Sequence, residues 1–106
     1  MAKPKLSLSA KPTFKAIVNV PVPGNAAGVP VEFTFKARTK TEFDPFVESI
    51  KKMEDVEAIL ACACGWDLEE PFDEEHVKQM TELYLGSPRA VLSKYFSELT
   101  QARLGN

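Results

Sequence analysis

Histidine and tryptophan each occur once in the 106 residues, as His76 and Trp66, and cysteine occurs twice, as Cys62 and Cys64. A lone histidine cannot build a histidine-based metal cluster. At the third position of a helix it also lacks the nucleophile and orienting group that a general base works with. The two cysteines fall in a stretch that reads as a helix, where side chains two apart diverge by about 200°, so a bridge is geometrically poor and both are expected as buried small hydrophobes. A zinc site would need two further ligands. Glycine-rich phosphate loops, metalloprotease helices and serine nucleophile elbows are missing as well. No catalytic residue, cofactor or metal is therefore expected, and the chain reads as a non-enzyme. No apolar run approaches the roughly 18 residues of a membrane span. The N-terminus, Met1-Ala-Lys-Pro-Lys5, has no apolar stretch behind its lysines, so a signal peptide is not expected and the cytosol is the default compartment.

What is present is ordinary globular composition, with 44% hydrophobic and 26% charged residues. That balance supports one folded domain rather than a disordered chain. The net charge of −2 hides a division. Residues 1–40 carry seven basic groups against the single acid Glu32, a net of +6, whereas residues 41–106 carry six basic groups against fourteen acids, a net of −8. Side chains that stay hydrated sort by element, so the two halves are expected to form oppositely charged surfaces.

Residues 1–12 contain two prolines and several lysines and read as a flexible arm, leaving residues 13–106 as a single α+β domain. Over Thr13–Val20, Phe14, Ala16, Val18 and Val20 fall on one face and Lys15, Ile17 and Asn19 on the other, the pattern of a half-buried strand. Pro21–Gly28 is rich in turn formers and reads as a mobile loop. Val29, Val31, Phe33, Phe35 and Ala37 then give the cleanest period-2 run, a strand over 29–38 that pairs antiparallel with the first as a β-hairpin. Three or four helices follow to cover it. Thr39 with Glu42, or Asp44 before Pro45, starts the first, and residues 42–64 are one helix or two, closed by Gly65 in a left-handed conformation. Asp73 is the N-cap of the next, with Phe72 and Val77 as a hydrophobic staple, and Val77, Met80, Leu83 and Tyr84 lie on its buried face. Ser87 as N-cap and Pro88 at N1 restart the chain into a last helix carrying Val91, Leu92, Tyr95, Phe96, Leu99 and Ala102 to about Arg103.

Residues 66–75 stand out because they join Trp66 and Phe72 to six carboxylates, Asp67, Glu69, Glu70, Asp73, Glu74 and Glu75. Acids in a first helical turn and an aromatic staple have structural explanations, and Trp66 can plug a core. The same combination suits a docking surface for a basic or amphipathic helical partner, because tryptophan is prominent among binding hot spots. Nucleic acid is disfavoured, since the chain is acidic overall and Phe33 and Phe35 share a face with Val29 and Val31.

The order of features resembles the tail assembly chaperones of long-tailed bacteriophages and prophages. The residues that carry the resemblance are the N-terminal strand pair, Gly65-Trp-Asp67 before a helix opening with Pro71-Phe72, Tyr84-Leu-Gly-Ser-Pro88 between two helices, and the closing run Glu98–Asn106. The resemblance implies a protein of the host bacterial cytoplasm that binds the long helical tape measure protein and helps recruit tail tube subunits. It implies no membrane contact, leaves self-association open, and makes Trp66, Asp67, Glu69, Glu70, Phe72, Tyr84 and Tyr95 the expected contact residues. The rival reading is a structural tail or head-completion subunit that stays in the particle.

Overall fold

A computed structural model describes residue 8 and residues 11–100 of the chain. Most of the expected arm and the last six residues, including Ala102 and Arg103, lie outside the described residues. The domain is α+β, with three antiparallel strands and four helices: β1 Thr13–Val22, β2 Asn25–Lys36, α1 Lys40–Ile50, α2 Asp55–Cys62, β3 Ala63–Trp66, α3 Glu74–Leu83 and α4 Ser87–Thr100.

The hairpin forms as its period-2 pattern dictates, with Phe14 opposite Phe35, Ala16 opposite Phe33 and Val18 opposite Val31. Its apolar face meets the helices, burying Val18, Val31, Phe33 and Phe35, while Lys15, Ile17 and Asn19 face outward. One solvated face is normal for an antiparallel sheet. The strands run further toward each other than expected. Pro21–Gly28 is not a mobile loop: β1 continues to Val22, β2 begins at Asn25, and the chain reverses at Gly24 with φ +84°. The register shifts between Val20 and Val22, and there Gly28 adopts φ +77°, the left-handed region where a side chain is strained. β2 also stops at Lys36 rather than residue 38.

Two prolines sit inside these strands without breaking the sheet, and position explains both. Pro21 is in β1, an edge strand in the order β1-β2-β3. Pro30 is in β2, but β3 pairs only with Phe33–Phe35, so β2 is itself an edge at Pro30. The Glu32 N–H donates on the β3 side, to Asp67 Oδ1 at 3.1 Å. Backbone directions alternate along a strand, so Pro30, two residues away, places its missing N–H on that same open side.

β3 is the main departure from the sequence reading. The segment expected to end a helix at Gly65 instead leaves α2 at Cys62 and pairs with β2, Trp66 opposite Phe33 and Gly65 opposite Thr34. Gly65 therefore ends no helix and its φ is not positive. The switch at Ala63 separates the two cysteines: Cys62 is buried, and burial raises its thiol pKa to about 12, whereas Cys64 is exposed rather than buried.

Thr39 is the N-cap of α1, with Glu42 completing a capping box, and the Asp44-Pro45 start is not used; Pro45 lies inside the helix. The stretch 42–64 is two helices, with Glu54 rather than Asp55 as the second N-cap. α4 begins with the Gly86 carbonyl accepting from Ala90 N at 3.1 Å, so Ser87 is inside the helix rather than its cap. Its hydroxyl is buried without a hydrogen-bonding partner among the described residues. At this corner a Cβ on Gly86 would stand 3.0 Å from Pro21 Cγ, so the α3–α4 turn rests directly on the hairpin.

The helices are tied to the sheet at Tyr95, which is fully enclosed. Its ring packs on Phe14, Phe35, Phe46 and Phe96, with centroids 5.4–6.1 Å apart. Its hydroxyl donates to the Lys36 carbonyl and accepts from Arg38 Nη1, each at 2.8 Å, and the Arg38 guanidinium lies 3.8 Å from the centre of the Phe46 ring. Burial shifts the Tyr95 pKa upward, so the phenol remains a donor at neutral pH.

Two substitutions test these assignments in urea titrations. Tyr95→Phe leaves the Lys36 carbonyl and an Arg38 N–H unmatched and is expected to cost about 1–3 kcal/mol. Gly28→Ala forces a side chain into a left-handed position, with Val20 O 3.0 Å from the new Cβ, and is expected to cost about 1–2 kcal/mol or more. A Gly28→Ala protein as stable as wild type would show that the register shift does not constrain this residue.

Candidate partner-binding groove

Toward its turn, the inner face of the hairpin forms the floor of a groove bordered by α3 and by the chain after β3. Val20, Val22, Val29 and Val31 make the floor, Trp66, Leu68 and Glu70 one side, and His76, Gln79, Met80, Leu83 and Tyr84 the other. The groove encloses about 270 Å³. Val29, Leu68 and Leu83 are 42%, 39% and 58% exposed, so its border is apolar as well as its floor. Leu83 was expected on the buried face of α3 and Val29 on the buried face of β2. Both instead lie at the groove because the covering helix ends there. Leu85, between Tyr84 and Gly86, is 86% exposed.

Trp66 is half-buried and held rigidly. Its ring meets Phe33 edge-on at 5.9 Å and Phe72 edge-on at 5.0 Å, and its Nε1 donates to the Glu70 carbonyl at 2.7 Å. That bond closes the turn after β3 and fixes where the Glu70 side chain leaves the backbone. The plug and the docking roles considered for Trp66 thus coexist: one side of the ring packs on the core and another lines the groove.

The acidic segment divides by task. Asp67 accepts from Glu32 N and extends the sheet by one bond. Asp73 caps α3, accepting from His76 N at 2.9 Å, with His76 Nδ1 2.7 Å away. This backbone hydrogen bond holds the Asp73 carboxyl below the usual aspartate range. In the same way the Thr39 backbone N–H holds Glu42 below the usual range at α1. Glu69, Glu74 and Glu75 are exposed and line no part of the groove, leaving Glu70 as its one carboxylate among the described residues.

Of the seven expected contact residues, the structure brings Trp66, Glu70 and Tyr84 together around the groove. Phe72 is behind Trp66, half-buried in its staple position, and Asp67 and Glu69 are on the adjoining turn. Tyr95 does not join them. It is enclosed in the aromatic core, so its expected place on a contact surface is corrected. The apolar side chains of the hairpin tip were missed because a valine lining a groove and one filling a core have the same period-2 signature. Leu68, a single apolar residue among acids, was the local signal that could have pointed to the groove. Among the described residues no three His, Cys, Asp or Glu side chains stand close enough together to hold a metal ion, and no helix is long and apolar enough to cross a membrane.

A family model described as phage tail assembly chaperone matches residues 1–106. No curated protein and no solved structure matches the chain.

The caps make acid sensitivity a local prediction. Because the folded-state pKa of Asp73 lies below its ordinary 3.8, its contribution is complete above that value and is lost as the pH falls through the lower folded value. Thermal melts between pH 7 and pH 2 should show wild type losing stability more steeply below pH 3.8 than Asp73→Asn, which keeps a cap acceptor that does not titrate. Equal slopes would remove Asp73 from the acid transition.

Proposed function

Because this chain belongs to the phage tail assembly chaperone family, we propose that it binds the tape measure protein in the host cytoplasm, keeps its helices from aggregating and helps recruit tail tube subunits without catalysing a reaction. The observation that carries this reading is the preformed apolar groove beside Trp66. A helix satisfies its own backbone internally, so a binding surface for it needs apolar contact rather than many donors. The groove has that character, with Trp66 Nε1 already committed to Glu70. Trp66, Leu68, Glu70, Leu83 and Tyr84 form its centre, with Asp67, Glu69 and Phe72 on the bordering turn. Its volume of about 270 Å³ is large enough for one bulky apolar side chain.

Co-expression with the tape measure protein of the same phage tests the proposal. Val29→Thr with Leu83→Gln removes the apolar border without adding charge, at two positions exposed enough to tolerate it. Soluble, co-purifying tape measure protein should fall at least severalfold, while Ile17→Thr on the outer sheet face should leave capture unchanged. Full capture by the double variant would place the binding surface elsewhere. Finding the chain in purified mature particles would favour the structural-subunit reading instead.

A further inference from the structure

Resting on that groove as the tape measure site, we infer that Glu70 sets its specificity: the groove takes one large apolar side chain of a partner helix together with a lysine or arginine one helical turn away. The volume of about 270 Å³ suits a single anchoring residue. Glu70 is the one acid among the groove's lining residues, and the other two carboxylates that make backbone bonds nearby, Asp67 and Asp73, are occupied with Glu32 N and His76 N. The Glu70 side chain is exposed, but its backbone carbonyl is fixed by Trp66 Nε1 at 2.7 Å. The carboxylate therefore borders the apolar floor and is open to a partner. A cation on the partner would meet it, and an acid there would be repelled.

The alternative peptide modes fit less well. Strand addition at the open edge of β2 meets Pro30, which has no N–H to offer, and Asp67, which already holds Glu32 N. A polyproline segment has no internal hydrogen bonds, and the ring nitrogen of the groove's tryptophan is taken. An amphipathic helix needs neither.

An array of overlapping peptides of about 18 residues, five helical turns, tiling the tape measure protein and probed with wild type, Glu70→Lys and Glu57→Lys, decides the matter. Glu57 is exposed on α2 and outside the groove, so it controls for net charge. Bound tiles should be enriched in a large apolar residue with Lys or Arg three or four positions away, relative to the whole tape measure sequence. Glu70→Lys should weaken those tiles about tenfold, as expected when an attraction becomes a repulsion, and Glu57→Lys less than about twofold. Bound tiles without that enrichment, equal binding by Glu70→Lys, or no bound tile overturns the inference. The two readings fail separately. If Val29→Thr/Leu83→Gln abolishes co-purification while Glu70→Lys leaves the array unchanged, the groove stands and its charge rule falls. If the double variant captures normally, the groove itself is wrong.

Discussion

Tyr95 joins the first third of the chain to the last helix, and the rest of the architecture depends on that closure. Its ring fills the space between Phe14 and Phe35 of the hairpin and Phe46 of α1, and its hydroxyl is held between the Lys36 carbonyl and the Arg38 guanidinium. A hairpin alone is marginal in water, and this contact brings α4 down across it. A phenol suits the position because it supplies a large apolar body and one polar tip. The tip answers the Lys36 carbonyl, one residue past the end of the β2–β3 pairing, where a purely apolar side chain would leave it unmatched.

Closure at one end of the sheet leaves the other end open. α4 packs on β1, and the α3–α4 corner meets the hairpin where Gly86 approaches the Pro21 ring. Val22 and Val29 there face the groove, which α3 and the turn from Trp66 to Glu70 also line. The groove is thus the remainder left when a long hairpin is covered by short helices. Pro21 and Pro30 both sit near the turn end of the hairpin, where Pro30 leaves the open side of β2 without a backbone donor.

Charge follows the same division. The sheet half carries the net positive charge and the helical half the negative, so the acidic turn that borders the groove is part of a broader asymmetry. Within that asymmetry only the carboxylates left uncommitted by capping and pairing can act on a partner. Asp67, Asp73 and Glu42 serve the fold first.

Local patterning was enough to read the strand pair, the Asp73 cap and the α+β class, and it offered Thr39 with Glu42 as one of two starts for α1, whereas the family was legible in the order of features along the whole chain. For Trp66 the local pattern left a core plug and a docking residue both open, and the ring both packs on Phe33 and Phe72 and lines the groove. Tertiary structure decided what depends on residues far apart in the chain. Ala63–Trp66 became a strand because β2 offered an unpaired edge some thirty residues earlier, and a four-residue apolar run has no period of its own to distinguish strand from helix. Tyr95 went to the core and Leu83 to the surface although both sit on apolar helical faces, since which part of a face is covered is set by where the neighbouring element ends. The groove, made from both halves of the chain, exists only after that covering is complete.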